Sequence, residues 1–361
     1  MYFYILIFLV LITLSILDST LKIKYAERRS IFLTLIMFFF ILSFIRWERG
    51  TDWESYYSFF SDNESIDDFK KGSFEILFTY LNWIVKQFSN NYTILLLIFA
   101  IIIFPLKAST IWKFSPLPFF SLLFFYFKDR CDIFFVRETI ALAILFYSIR
   151  YIVARKLGFF IICVCMAGTF HASSLIYIFA YFIYGIRFNL KKLVFLACIT
   201  IIVSVIIQVI LKDIGAILGG LYQWKINNYL EYADADFGLG ISLQEAIFRG
   251  MINRIFFIFM FAYLYVKYPG DKLMLGLINI YVFSVCIFII FMPVSFALAR
   301  LANSYEQVEI LIVGIGLAKF NMRNRLIIIL LLGVYFFIRF CSSTLFGGYS
   351  SLYVPYKSIF L

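Results

Sequence analysis

Residues 274–292, MLGLINIYVFSVCIFIIFM, decide the fold class of this chain because they contain no charged side chain over nineteen positions. A helix rises about 1.5 Å per residue, so this stretch is long enough to cross the roughly 30 Å core of a bilayer. Similar runs recur along the 361 residues, of which 63% are apolar and 15% charged. Soluble domains carry about 45–50% apolar and about 25% charged residues. The composition therefore predicts an integral membrane protein and excludes a cytosolic enzyme, a secreted disulfide scaffold and a disordered chain.

Apolar segments separated by charged residues predict an all-α, polytopic membrane protein with about 12 transmembrane helices. Several are shorter than the roughly 20 residues that cross a bilayer, so some helices are expected to be short, tilted or re-entrant. We expect one multi-span membrane domain over 1–361, with an amphipathic element at 76–88 and a hairpin over 158–185 that breaks near His171. The segments are 2–17, 30–45, 92–106, 117–127, 138–152, 158–170, 172–185, 193–211, 252–266, 274–292, 306–318 and 326–340.

The formal net charge of +11 lies in short basic clusters between these segments, a pattern typical of membrane topology signals and not of nucleic-acid binding. With the N-terminus outside, 17 of the 32 bases but only three of the 21 acids fall in the expected inside loops. Lys107 is counted among those inside bases. Two polar loops, about 46–91 and 212–250, then face outward, and long loops in compact membrane proteins are usually functional.

The densest polar cluster follows the second apolar segment and contains Arg46, Arg49 and Asp52. Within it, Gly50 and Thr51 precede Asp52 in a sequence that predicts a tight turn. One interpretation is an interfacial anchor whose charges are solvated. The other is a functional site, in which the guanidinium groups bind phosphate oxygens and the carboxylate accepts a proton from a hydroxyl.

Further candidates lie at the ends of other apolar segments. Arg137 begins the segment at 138–152, where it is either an interface charge beside Glu138 or a second phosphate-binding group. His171 is the only histidine in the sequence, and an intramembrane histidine is costly enough that function competes with a packing role. Arg300 and Asn303 share a face if their stretch is helical, and the acids at 306 and 309 are interpreted as ordinary outside charges.

Metal and cofactor chemistry finds little support in the sequence. Asp234 and Asp236 match a D-x-D pattern that can coordinate a divalent cation, but two acids in an acidic loop match it easily. A single histidine excludes a histidine-based metal cluster. The sequence contains neither a P-loop motif nor G-x-S-x-G, so we expect neither an ATP-driven pump nor a serine hydrolase. Since no cluster of metal ligands is evident either, we expect no cofactor and no bound metal.

An ordered set of motifs resembles the EpsG family, which includes Wzy-type O-antigen and capsule repeat-unit polymerases. The resemblance runs from about residue 40 to the C-terminus. The motifs are Arg46…Gly50-Thr51-Asp52-Trp53…Tyr56, Arg137…Ala141, Phe170-His171-x-Ser173-Ser174, Arg300-x-x-Asn303-x-Tyr305 and Pro355-Tyr356.

The resemblance implies a membrane glycosyltransferase of GT-C-like architecture in the bacterial inner membrane, with its active site facing the periplasm. Such an enzyme polymerises undecaprenyl-diphosphate-linked repeat units into O-antigen or capsular polysaccharide and releases undecaprenyl diphosphate. The partners implied are the lipid-linked glycan, membrane lipid, a flippase and a chain-length regulator, with no nucleic acid.

The resemblance and the residue types together suggest roles for the candidates. Arginines offset the charge on a leaving diphosphate, and a carboxylate or an imidazole serves as general base for the acceptor hydroxyl. The predicted diphosphate-binding residues are Arg46, Arg49, Arg137 and Arg300; the predicted catalytic residues are Asp52 and His171; the predicted substrate-binding residues are Tyr56, Glu75, Asn303, Tyr305 and Tyr356. Sugar rings are expected to meet the loop aromatics Trp53, Tyr56, Tyr222, Trp224 and Tyr229.

Three other functions stay open at this point. A flippase or other transporter would need charge along a central cavity, whereas most ionisable residues lie near segment ends. A membrane O-acyltransferase would use the single intramembrane histidine but would leave the arginine-rich cluster without a role. An O-antigen ligase shares the donor and differs in its acceptor, so residue chemistry does not separate it from a polymerase.

Overall fold

The structure, a computed structural model, describes residues 1–72, 74–135, 137–220, 223, 227, 243–348 and 350–360. The predicted all-α class is confirmed for this part of the chain. The one extended pairing among the described residues is an isolated antiparallel bridge between Arg46 and Ser358.

Within the continuous described ranges, the helices follow one another with short connections. The α-helices are α1 (Tyr2–Thr20), α2 (Tyr25–Ile45), α3 (Trp53–Ser61), α4 (Ile66–Lys71), α5 (Ile76–Phe88), α6 (Tyr92–Phe114), α7 (Pro118–Asp129), α8 (Arg137–Val153), α9 (Leu157–Phe170), α10 (Ala180–Ile183), α11 (Leu190–Leu218), α12 (Leu243–Lys267), α13 (Lys272–Phe291), α14 (Phe296–Ala299), α15 (Asn303–Glu306), α16 (Glu309–Ala318), α17 (Met322–Phe340) and α18 (Ser350–Tyr353). Tighter 3₁₀ turns cover Arg130–Asp132, Ala172–Phe179 and Arg300–Ala302, and a π-helical turn covers Cys341–Leu345.

Six helices among the described residues are long and apolar enough to cross a membrane, so the prediction of about twelve spanning helices is not confirmed. Other apolar segments fold as helices of 10–17 residues, shorter than the roughly 20 that span a bilayer. The predicted break near His171 is confirmed, because α9 ends at Phe170 and His171 is extended. The six candidate spans are Tyr2–Thr20, Tyr25–Ile45, Tyr92–Phe114, Gly250–Lys267, Lys272–Phe291 and Met322–Leu345.

The chain divides into two compact units. The first unit comprises Met1–Leu175 and Ile310–Leu361, and the second comprises Ile176–Glu309. In the first unit, α7 is buried along nearly its whole length, and its aromatic side chains stack on α17. The ring centroids of Phe127 and Phe336 are 4.6 Å apart, for example. The core of the first unit is therefore a layer of interlocked aromatic side chains.

The predicted amphipathic element at 76–88 is helix α5. Phe78, Asn82 and Val85 are buried, while Ile76 and Phe88 are exposed. Buried positions spaced by three and four residues share one helix face, so α5 packs that face against the unit. Its first turn brings the preceding residue, Glu75, to the edge of this packed layer.

The structure corrects the placement of three charged residues. Lys107, predicted to lie in an inside loop, is a buried residue of α6, and its Nζ lies 2.6 Å from Asp132 Oδ2. Glu306 and Glu309, interpreted as outside acids, are buried in the second unit. Glu306 Oε2 accepts a hydrogen bond from Arg254 Nη2 at 3.0 Å. Ion pairing lets a charge stay inside an apolar helical protein, which a loop-based charge count does not anticipate.

Candidate functional site

A carboxylate, a guanidinium and an imidazole meet in the first unit at Glu75, Arg137 and His171. Glu75 Oε2 forms an ion pair with Arg137 Nη1. Glu75 Oε1 accepts a hydrogen bond from the Ala172 backbone N–H at 3.0 Å and lies 3.8 Å from His171 Nδ1. The three side chains are 20%, 15% and 21% exposed, respectively. We call these three residues the Glu–Arg–His cluster.

Three helix ends position the Glu–Arg–His cluster. Glu75 directly precedes α5, Arg137 is the first residue of α8, and His171 directly follows α9. The Arg137 guanidinium also lies over two aromatic rings, 4.9 Å from the centroid of Phe74 and 5.8 Å from that of Phe78. Cation–π contact and the ion pair together hold this guanidinium in place.

The arrangement suits proton transfer beside a developing negative charge. A carboxylate 3.8 Å from an imidazole nitrogen stabilises the imidazolium that forms when the ring accepts a proton. Arg137 adds a fixed cation close to that imidazole, which favours a substrate anion. The Glu–Arg–His cluster can therefore combine a general base with an anion-stabilising group.

A second cation, Arg46, packs against Gly50 and is only 2% exposed. Its Nη2 donates to the Phe135 carbonyl at 2.5 Å, while Nε and Nη1 make no hydrogen bond within the described residues. Gly50 has φ +108°, and a Cβ there would lie 3.0 Å from Arg46 Nη1, so glycine is required. Burial lowers the pKa of Arg46 to about 10, and the side chain stays cationic at neutral pH.

Aromatic rings connect the two cations. From the Phe78 ring under Arg137, ring contacts run to Phe99 at 5.7 Å and from Phe99 to Phe135 at 6.2 Å. The Arg46 guanidinium lies 4.7 Å from the centroid of Phe135. Arg46 and Arg137 therefore lie against one continuous aromatic wall, which fixes their positions relative to each other.

Arg49 contacts the C-terminal segment. Its Nε donates to the Pro355 carbonyl at 2.8 Å and its Nη1 donates to the Ser351 carbonyl at 2.9 Å. The backbone N–H of Gly50 donates to the Leu352 carbonyl at 2.9 Å. The predicted diphosphate ligand Arg49 thus uses part of its donor set to attach the C-terminal segment to the 46–52 loop.

We expect Arg49→Ala to loosen this C-terminal segment and to lower the free energy of unfolding by about 1 kcal/mol, because two hydrogen bonds are lost at a partly exposed site. Limited trypsin digestion measures the loosening as faster cleavage after Lys357. Arg323→Ala, at an exposed arginine of α17, is the matched control. Equal cleavage rates in the two variants would contradict the attachment role.

The other candidates of the first unit are distributed over its surface and core. Asp52 is exposed in a left-handed conformation with φ 59°, and its carbonyl accepts a hydrogen bond from the Tyr56 N–H at 3.0 Å. Tyr56 packs beside Phe78, 5.5 Å between ring centroids, and so neighbours the ring beneath Arg137. The Tyr356 hydroxyl donates to the Leu42 carbonyl at 2.6 Å, and burial raises its pKa.

Three candidates belong to the second unit. Arg300 is exposed in the 3₁₀ turn, and Asn303 begins α15. Tyr305 was predicted to bind substrate, but its side chain is fully buried between Tyr177 and Phe283. Its hydroxyl donates to the Ile176 carbonyl. Tyr305 therefore packs inside this unit.

The predicted site residues of the second polar loop lie outside the part of the chain that the structure describes. They are Tyr222, Trp224, Tyr229, Asp234 and Asp236. Within the described part of the chain, no group of three or more His, Cys, Asp and Glu side chains is arranged to hold a metal ion. Trp53 is described, and it stacks on Tyr57 with ring centroids 4.8 Å apart.

Sequence reasoning missed two features of the first unit. Glu75 was predicted only as a substrate-binding residue, not as the partner of Arg137 and His171. Lys107 and Asp132 were not predicted as a pair. The available signal was the position of Lys107 within an apolar run, since a charge inside a membrane helix demands a partner.

The described helices and the Glu–Arg–His cluster define a helical membrane protein with a carboxylate, a guanidinium and an imidazole gathered at one place. Within this class, a family model described as the EpsG family matches residues 29–358. The chain belongs to the EpsG family. Its membership indicates a membrane protein of polysaccharide biosynthesis. Neither a curated protein nor a solved structure gave a significant match to the chain.

Proposed function

We propose that this protein polymerises undecaprenyl-diphosphate-linked oligosaccharide repeat units into O-antigen or capsular polysaccharide. The reaction would take place at the periplasmic face of the bacterial inner membrane, in a membrane glycosyltransferase of GT-C-like architecture. EpsG family membership supports the pathway, and the Glu–Arg–His cluster is the observation that carries the reaction type. The cluster places a histidine, a carboxylate and an arginine together, as transfer of a glycan from a diphosphate to a hydroxyl requires.

In the proposed reaction, His171 accepts the proton of a hydroxyl at the non-reducing end of the incoming lipid-linked repeat. The hydroxyl oxygen forms a bond to the anomeric carbon of the growing glycan. The bond from that carbon to the diphosphate oxygen breaks, and undecaprenyl diphosphate leaves with the electron pair. The negative charge of Glu75 stabilises the protonated imidazole.

Arginines would bind the leaving diphosphate in this scheme. Arg137 lies beside the imidazole, and Arg46 has unpartnered donors on the same aromatic wall. Arg300 stays a predicted diphosphate ligand because of its sequence motif. Fixed cations near a developing anion stabilise the transition state more than the ground state. Asn303, Tyr56 and Tyr356 are proposed to contact the glycan, and a flippase and a chain-length regulator are the proposed partners.

Deletion of the gene, followed by gel analysis of the surface glycan, tests the proposal. We expect the ladder to disappear while a single repeat remains on the lipid core, because flipping and ligation still work. Loss of every repeat would instead indicate a flippase or a ligase. An unchanged ladder with altered acetylation would indicate an acyltransferase and would overturn the proposal.

Complementation of the deletion strain adds a residue-level test. We expect wild type and Arg323→Ala to restore the ladder and Arg300→Ala to fail, because Arg300, unlike Arg323, is predicted to bind the diphosphate. Arg323 is a matched control since it is an exposed arginine in the first turn of α17 and is not a predicted ligand. A full ladder with Arg300→Ala would remove Arg300 from the proposed diphosphate ligands.

A further inference from the structure

The first unit contains a polar cavity that the proposed reaction does not use. Its volume is about 150 Å³, which is space for roughly five water molecules at about 30 Å³ each. Such a space admits one sugar ring and not an oligosaccharide. The cavity is lined by Lys107, Asp129, Arg130, Asp132, Phe134, Phe135, Thr139, Leu142 and Tyr353.

The cavity has a buried charged end and a partly exposed charged end. Lys107 and Asp132 are 3% and 6% exposed and form the 2.6 Å ion pair, whereas Asp129 and Arg130 are half-buried. The Arg130 guanidinium lies 4.0 Å from the centroid of the Tyr353 ring. A ligand would therefore enter beside Asp129 and Arg130 and end against the ion pair.

The turn that carries the charged lining residues Arg130 and Asp132 has an unusual backbone conformation. Arg130, Cys131 and Asp132 have φ of 54°, 49° and 55°, in the left-handed region that L-residues rarely adopt. The turn holds Arg130 over Tyr353 while Asp132 reaches Lys107. Consecutive backbone outliers at a charged cavity are typical of functional sites.

The chemistry of the lining favours a neutral, hydroxyl-rich ligand over an anion. Two bases and two acids line the cavity, so their formal charges cancel and a phosphate group gains little from them. Ammonium and guanidinium groups donate hydrogen bonds, carboxylates accept them, and a sugar hydroxyl does both. The aromatic rings of Phe134 and Tyr353 offer flat apolar faces for the C–H surface of a pyranose ring.

We propose that this cavity is a subsite for a single neutral sugar ring of the lipid-linked glycan. The identity of that glycan rests on the proposed function, whereas the sugar-binding chemistry rests on the lining itself. Two lining residues, Thr139 and Leu142, belong to α8, the helix that begins with Arg137 of the Glu–Arg–His cluster. Phe135 lines the cavity and also accepts the hydrogen bond from Arg46. The subsite thus selects one sugar of the repeat unit next to the proposed diphosphate ligands.

Direct binding of free monosaccharides to the purified full chain tests the subsite. The protein is studied in lipid nanodiscs, because sugar-based detergents would compete. Saturation-transfer NMR is recorded with glucose, galactose, N-acetylglucosamine, N-acetylgalactosamine and rhamnose as probes. We expect at least one of them to bind the wild type. Binding should weaken by about tenfold or more in Leu142→Trp, which fills the cavity, and in Tyr353→Ala, which removes a ring.

Two comparisons separate this inference from the proposed function. We expect His171→Gln to bind the sugar as the wild type does although it makes far less polymer, because His171 is not among the residues that line the cavity. Inorganic diphosphate should not displace the sugar. Leu142→Trp must elute as a monodisperse protein, and Thr139→Val provides a milder variant if it does not. Absence of binding for every probe, or displacement by diphosphate, would overturn the sugar subsite and leave the polymerase proposal standing.

Discussion

We expect His171→Gln to lower polymer formation by ~10²–10⁴-fold, the range that general acid–base catalysis contributes. Glutamine keeps a polar side chain beside Glu75 but does not accept a proton at neutral pH. Glu75 stays paired with Arg137 and with the Ala172 N–H in this variant, so the local fold should persist. The measurement is polymer made per amount of protein in the membrane, quantified from the glycan ladder and an immunoblot.

Two further variants identify the base. Glu75→Gln removes the charge that stabilises the imidazolium and leaves Arg137 without its carboxylate partner, so polymer formation should fall. Asp52→Asn tests the other predicted base, whose side chain is exposed. We expect Asp52→Asn to keep most of its polymer-forming activity. Normal polymer with His171→Gln and none with Asp52→Asn would reverse the assignment.

Composition was sufficient to predict the fold class, because an apolar majority cannot be covered by a soluble surface. The number of spanning helices was not predictable in the same way. Segments such as 158–170 are apolar enough to insert, but the helix there, Leu157–Phe170, has only 14 residues and is shorter than the roughly 20 that span a bilayer. Whether a short apolar helix spans, tilts or stays among other helices depends on packing between distant segments, which local hydropathy does not contain.

The candidate site was predictable by residue type but not by pairing. Arginines, a carboxylate and the single histidine were recognised as costly, and therefore informative, groups in a membrane protein. The hydrogen bond from Ala172 to Glu75 joins residues 97 positions apart, and no local pattern specifies such a contact. Tyr305 shows the converse, since its polar motif suggested binding while its environment is core.

Lys107 marks the limit of charge counting as a topology argument. The positive-inside rule assigns each base to a loop, yet α6 continues through Lys107 to Phe114. The charge is tolerated there because Asp132 lies 2.6 Å away and the ring of Phe125 lies 4.6 Å from the ammonium. A base near the end of an apolar run therefore needs a partner search before it is assigned to a loop.

The buried ion pair gives the second large prediction. We expect Lys107→Met alone, and Asp132→Asn alone, to lower the free energy of unfolding by about 3–5 kcal/mol each. Each substitution leaves the charge of the other residue buried without its partner. Asparagine is chosen because it tolerates the left-handed backbone of this position. The double variant removes both charges, and its free energy of unfolding should differ from that of the wild type by no more than about 1 kcal/mol.

Thermal unfolding of the four proteins in the same lipid nanodiscs measures this double-mutant cycle. Lys113→Met is the matched control, since Lys113 is an exposed residue of the same helix, and it should change stability by less than about 0.5 kcal/mol. The double variant also separates stability from binding, because it should fold normally and still lose the sugar that the cavity holds. Additive losses in the double variant would mean that Lys107 and Asp132 do not compensate each other, and the charged end of the cavity would then lose its physical basis.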